Sequence, residues 1–273
     1  MLGKKELSET LGLSCVEKYF AAWLCKFTDV AKLYGASFVS MAQVLDDFAH
    51  GATYQNYCYL PRLQDIAEEY GIVSHEYVPC SAKRAEEILR ELPPYALGLI
   101  RVNTSFFTEF KRSSWREDHY VCINGDLKWI NEYPLSEGVF TAERFAQVYD
   151  GAVCVYKTAR LDNCPDDLAT QAILKQDFSD SAFPLSLDKA EEAAGVLRMT
   201  RKRLEKFYEA KKNVREVLSK ENALLDRIYF NIRLRLIREE RGEKADSAAH
   251  GEIRKSMKAV AEFEKKLKEE LGK

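Results

Sequence analysis

Apolar residues recur at helical spacing at both ends of the chain and alternate with polar ones in between. Residues 14–34, 40–49, 61–70 and 81–91 carry the helical pattern, while 72–78, 96–102, 119–123, 127–131 and 152–157 read as extended. Helices come first and most strands later, which predicts an α+β fold with an antiparallel sheet rather than a doubly wound parallel one. Beyond Phe183-Pro184 there is no further proline and the texture changes to Lys, Arg, Glu, Ala and Leu. Val196, Leu197, Leu204, Phe207 and Tyr208 start a helical stripe that Leu218, Leu225, Ile228, Ile232 and Leu236 continue. After the polar break RGEKADSAAHG, one face of a last helix carries Ile253, Met257, Val260, Phe263, Leu267 and Leu271. The pattern therefore predicts a first domain over 1–160, a linker over 161–186 and a helical bundle over 187–273.

Charge sharpens that division. The formal net charge of −2 hides 23 Lys and Arg against 17 Asp and Glu from Leu187 onward, a net of +6, and 18 against 26 before it, a net of −8. No global basic field argues for nucleic acid. The basic residues of the helical half are interleaved with acids and its aromatics are few, which also disfavours an RNA-binding appendage. The longest apolar run, Tyr19–Cys25, is far shorter than the roughly 20 residues of a membrane span. MLGKKELSE lacks the apolar core of a secretory leader. Seven cysteines without a CxxC pair disfavour both a disulfide framework and a zinc site, so the expected setting is the cytoplasm, with reduced thiols and no bound metal. The absence of GxGxxG, a Walker loop and HExxH removes the usual signatures of nucleotide cofactors and of zinc hydrolysis.

Ser14-Cys15-Val16-Glu17 fits S-x-x-E ahead of the apolar Tyr19, Phe20, Trp23 and Leu24, a capping box with Ser14 as N-cap. Cys15 then takes the first helical position, beside orphan backbone N–H groups and the positive end of the helix dipole. This placement is expected to favour thiolate, although the dipole supplies only about 0.3–1 kcal/mol. A working nucleophile also needs a histidine. Cys25, Cys58, Cys80, Cys122, Cys154 and Cys164 read as packing residues.

Of the four histidines, His50 sits at a helix end, His75 in a polar stretch and His250 in the loop of the helical half. His119 opens the strand His119–Ile123, which Asn124-Gly125-Asp126 joins to Leu127–Asn131. A two-residue turn would mix charges with apolar residues on one face. A three-residue loop pairs Ile123 with Leu127, Val121 with Trp129 and His119 with Asn131. One face then reads His119, Val121, Ile123, Leu127, Trp129, Asn131, with the Asn131 amide directly across from the imidazole. Its oxygen accepts from one ring nitrogen and leaves the other to face a thiol. Glu132 and Asp118 are the second and third choices for that orienting role.

These residues resemble a known family. A helix headed by cysteine, Tyr34-Gly35-Ala36-Ser37-Phe38-Val39-Ser40, His119-Tyr120-Val121, Asn131-Glu132-Tyr133-Pro134 and the stretch Pro134–Phe145 are similar to the papain-like bacteriocin-processing (double-glycine) peptidases. They are more closely similar to the BtrH N-terminal family of butirosin biosynthesis. The resemblance covers roughly residues 8–158. It implies a papain-like fold in which Cys15 is the nucleophile, His119 its base and Asn131 the orienting group. The peptidases carry a glutamine about six residues before the cysteine, where this chain has Glu9. An ionised carboxylate only accepts hydrogen bonds and cannot stabilise an oxyanion. The departure counts against peptidase activity and leaves Thr10 or Ser8, with the Cys15 backbone N–H, as substitutes, while Ser14 stands as a further secondary candidate of the site.

Proteins of the BtrH type move an acyl group from a carrier-protein thioester to an amine, and a related enzyme of closthioamide assembly releases a carrier-bound chain onto a diamine. The resemblance thus implies a Cys-His-Asn acyltransferase with no bound cofactor, whose donor is a phosphopantetheine thioester on an acidic carrier protein and whose acceptor is a small amine. Water as acceptor makes the same site a peptidase or thioester hydrolase, and a relative that only binds a partner is the third reading. The dense basic stretch Arg198, Arg201, Lys202, Arg203, Lys206, Lys211, Lys212 and Arg215 is expected to steer the acidic carrier.

Overall fold

The computed structural model describes residues 2–11, 14–53, 63–103, 119–163, 168–176, 185–242 and 247–272. The protein is α+β, with one antiparallel sheet of six strands and eleven α-helices among the described residues. The chain divides into two compact units. The first joins Met1–Val30 to Leu63–Cys164, and the second joins Ala31–Arg62 to Pro165–Lys273.

In the first unit the helices are α1 (Lys4–Glu9) and α2 (Cys15–Leu24) before the interruption. The strands are β1 (Val73–Pro79), β2 (Leu97–Val102), β3 (His119–Ile123), β4 (Lys128–Glu132), β5 (Leu135–Val139) and β6 (Tyr149–Thr158), in spatial order β1-β6-β2-β3-β4-β5. Helices Leu63–Glu69, Ala82–Arg90 and Ala142–Val148 complete the unit. Ser81 and Thr141 start two of them, each accepting a backbone N–H three residues on (Arg84 and Arg144). One core joins Ala85 and Leu89 to Ile100, Val102, Val121, Ile123, Leu127, Trp129, Phe145, Val153 and Val155. The apolar members of the face predicted for the hairpin all lie in it. On α2, the Phe20 ring meets Tyr156 of β6 edge to face at 5.3 Å.

The predicted hairpin register is corrected by two residues. Cys122 pairs with Ile130 and Ile123 with Trp129, and the Asn124 N–H donates to the Lys128 carbonyl. The loop is Gly125-Asp126-Leu127, with Leu127 in the left-handed region at φ 57°. The Asn124 side chain accepts from the backbone N–H of both Asp126 and Lys128, which stabilises this turn, of the expected length but shifted by one residue along the chain. A Cβ at Gly125 would lie 2.9 Å from the Leu89 carbonyl oxygen, so only glycine lets the loop approach that helix. A shift of two preserves which face each side chain takes. Val121 then lies across from Asn131, and His119 is its diagonal neighbour rather than its direct partner.

Strand β5 escaped the sequence reading because its residues alternate between exposed and half-buried with little apolar content. Gly138 lies opposite Trp129, where a Cβ would come within 2.8 Å of the indole. The long helix expected over 14–34 ends at Leu24, and a second helix, Ala31–Ala36, belongs to the other unit.

The domain limits are corrected likewise, because residues 31–62, expected in the first domain, cluster with the helical unit. Met41, Val44, Leu45 and Phe48 form one apolar helix face, and they share a core with Ala190, Ala193, Leu197, Ile228 and Met257. The segment Tyr34–Ser40, quoted for the resemblance, therefore lies in the second unit. The stretch expected as a linker carries the helix Leu168–Leu174. The long helices of this unit are Leu187–Phe207, Lys212–Glu240 and Ser247–Leu271.

Arg201 lies fully buried among them. Its Nε donates to Glu221 at 2.7 Å, Nη2 to Glu264, and Nη1 to the Val39 carbonyl at 2.7 Å. Two buried carboxylates share one guanidinium. Burial raises the Glu221 carboxyl and pushes Glu264 up to about 7. Arg201→Met leaves both carboxylates without their cation and is expected to cost about 3–5 kcal/mol in urea unfolding. A folded-state value above the unfolded 4.5 gives stability that is complete below pH 4.5 and lost as the pH rises through about 7. The stability of wild type relative to Glu264→Gln is therefore expected to fall across that window, and a constant difference would contradict the assignment.

Candidate active site

Ser14 adopts extended backbone (φ −127°, ψ 165°), and its hydroxyl accepts the Glu17 N–H at 3.1 Å, so α2 starts at Cys15 as the capping pattern predicts. The Glu17 carboxylate is buried and also accepts the Leu63 N–H at 3.2 Å, tying α2 to the helix that begins there. Cys15 retains intermediate exposure.

The expected thiolate is corrected. Burial raises the Cys15 thiol to about 11, partly offset by a hydrogen bond from the Tyr120 backbone N–H. The Glu132 carboxylate pushes it further up, and the N–H groups of Val16 and Cys15 pull it down. Desolvation of the sulfur outweighs the helix start. The Tyr120 contact places the sulfur against β3, at the residue next to His119.

His119 is buried, and its Nε2 lies 2.6 Å from Asn131 Oδ1. Asn131 is itself fully buried, and its Nδ2 donates to the Pro134 carbonyl at 3.0 Å. That fixes the amide orientation. Because Oδ1 only accepts, Nε2 carries the ring proton and Nδ1 the lone pair. Burial lowers the His119 pKa below 6.5, while the Asn131 hydrogen bond and the Glu132 carboxylate act to raise it. At neutral pH the resting pair is a thiol and a neutral imidazole.

The other candidates separate cleanly. Glu132 is the common electrostatic neighbour of Cys15 and His119, and its Oε2 pairs with Lys18 Nζ at 3.2 Å. Asn131 holds the orienting position instead. Asp118 lies outside the described residues. Thr10 donates to the Glu6 carbonyl at 2.6 Å and Ser8 to the Lys5 carbonyl at 2.8 Å, so both hydroxyl protons are spent within α1. Ser14 serves as the helix cap. Cys122 and Cys154 are buried in strands, and Cys58 and Cys164 lie outside the described residues. His50 caps a helix, and His75 stacks on Tyr156 at 4.7 Å.

Tyr19 is the residue that pattern reading assigned to packing alone. It is fully buried, its hydroxyl accepts the Glu132 backbone N–H at 2.9 Å and lies 3.5 Å from Asn131 Oδ1. The available signal was its i, i+4 spacing from Cys15, which puts both on one face of α2.

The basic stretch expected to steer a carrier is also corrected. Arg201 and Arg203 are fully buried, with Arg203 over the Tyr34 ring at 5.7 Å. Arg198 and Lys202 both pair with Asp226. Periodicity explains this, since a helix packed on two sides turns some of its cations inward.

No protein-family model matches the chain, and no curated protein sequence matches it. Among the described residues no His, Cys, Asp and Glu group is arranged to hold a metal, and no helix is long and apolar enough to cross a membrane.

Alkylation of Cys15 by iodoacetamide is expected to climb as the pH approaches about 11. Saturated labelling below neutrality would reveal a preformed thiolate and overturn the neutral-pair assignment.

Proposed function

We propose that the protein is a cysteine-dependent acyltransferase of papain-like architecture that transfers an acyl or peptidyl chain from a carrier-protein thioester to a small amine. The observations that carry this reading are that the Tyr120 backbone N–H acts on the Cys15 sulfur and that His119, the preceding residue of the same strand, has its Nε2 committed to Asn131. His119 Nδ1 is then the basic nitrogen of the pair.

As Sγ bonds to the thioester carbonyl carbon, its proton passes to Nδ1. The tetrahedral intermediate collapses, the carbon–sulfur bond to the phosphopantetheine breaks, and the imidazolium returns the proton to the leaving thiolate. An amine then attacks the acyl-Cys15 carbon and gives its proton to Nδ1. The Cys15 sulfur leaves and is reprotonated. A thioester suits a nucleophile that rests as a thiol, because one thioester is exchanged for another in the first half-reaction. No cofactor is needed beyond the carrier's own phosphopantetheine. A free thiol at residue 15 suits the reducing cytoplasm, and the five described cysteines are all free.

Intact-mass analysis after incubation with an acyl-phosphopantetheinyl carrier protein, and with a small acyl thioester, tests the reading. An adduct of the acyl mass on Cys15 is expected, and none on Cys15→Ala. His119→Ala is expected to fold and lose turnover by about 100-fold or more, with a smaller loss for Asn131→Ala. Activity is expected to fall on the acid side as His119 takes up its proton below pH 6.5. Added amine should convert the adduct to amide. Free acid in its place identifies a peptidase or thioester hydrolase, and no adduct with either donor identifies a binding relative.

A further inference from the structure

Antiparallel ladders exchange paired N–H···O bonds at every second residue. In the β3–β4 hairpin those positions are Asn124 with Lys128, then Cys122 with Ile130, and next Tyr120 with Glu132. The paired residues nevertheless stop at Cys122 and Ile130. At the open end both donors turn to α2. The Tyr120 N–H goes to the Cys15 sulfur, and the Glu132 N–H goes to the Tyr19 hydroxyl at 2.9 Å. Residues 15 and 19 are one helical turn apart, so a single face of α2 supplies both acceptors.

We propose that Tyr19 is the positioning residue of the site, locking the Asn131 amide so that His119 is held as the Nε2–H tautomer with a basic Nδ1. The hydroxyl has one proton. Having accepted from Glu132 N–H, it presents that proton to Asn131 Oδ1, 3.5 Å away, and so favours the oxygen in that position. The Pro134 carbonyl holds the other end of the same amide by accepting from Nδ2. A flipped amide would point Nδ2 at the Tyr19 hydroxyl and at Nε2, and would set Oδ1 against a carbonyl oxygen. Burial keeps the phenol protonated and able to donate, since it raises the Tyr19 pKa well above 10. The Tyr19 hydroxyl also holds the Glu132 strand end away from Tyr120, which keeps the Tyr120 N–H available to the sulfur.

The catalytic meaning of this device rests on the acyltransferase reading, but its principal test does not. In wild type, 15N shifts of the His119 ring at neutral pH are expected to show Nε2 protonated and Nδ1 bare. In Tyr19→Phe, which keeps the ring volume, the tautomers are expected to mix and the His119 titration to move. Where the acyl-enzyme forms, the fall is expected in kcat, on the order of tenfold, with KM for the thioester retained. A wild-type ring protonated at Nδ1 overturns the proposal even if Tyr19→Phe does not fold. So does a folded Tyr19→Phe whose tautomer and titration match wild type. Absence of any acyl-enzyme with an Nε2–H ring would instead refute the transferase reading and leave the positioning role standing.

Discussion

An open strand end inside a protein leaves backbone donors that water cannot reach, and each must find an acceptor or cost free energy. The β3–β4 hairpin has an open end at the half-buried Tyr120 and Glu132. Helix α2 supplies the acceptors from the first residue of its first turn and from the residue one turn later. The Tyr120 N–H of β3 acts on the Cys15 sulfur, and the Tyr19 hydroxyl accepts the Glu132 N–H of the partner strand. The geometry at Asn131 and His119 is built on that junction.

The same burial sets the protonation of the site. The helix start and three backbone N–H groups favour thiolate, but the loss of water around the sulfur is the larger effect, and Glu132 adds to it. His119 loses basicity for the same reason. Both groups rest neutral, and charge separation is deferred until a substrate accepts the electron pair. In the proposed reaction this makes His119 a general base acting during attack, and not the partner of a standing ion pair. The Lys18–Glu132 pair, with side chains 25% and 18% exposed, limits how far the carboxylate acts on both groups.

In the helical unit, charge is structural. Arg201 joins three long helices to the Val39–Met41 backbone, since Glu264 also accepts the Met41 N–H at 2.7 Å. Arg198 and Lys202 are held by Asp226. A positive count along a sequence overstates the field that a surface presents when Arg201 and Arg203 are buried and Arg198 and Lys202 are held by Asp226.

The sequence by itself determined the types of most elements, with β5 and the helix Leu168–Leu174 among the exceptions, the start of α2 at Cys15 and the face that unites Val121, Ile123, Trp129 and Asn131. These are local, because capping depends on four consecutive residues and facing depends only on odd or even spacing. Tertiary structure decided the hairpin register, the assignment of residues 31–62 to the helical unit, the inward turn of Arg201 and Arg203, and the role of Tyr19. A register shift of two leaves the pattern of faces unchanged, and an amphipathic helix carries no record of which core it joins. A buried tyrosine likewise looks like any packing residue until the strand donor that its hydroxyl serves is in place, and that donor lies more than a hundred residues further along the chain.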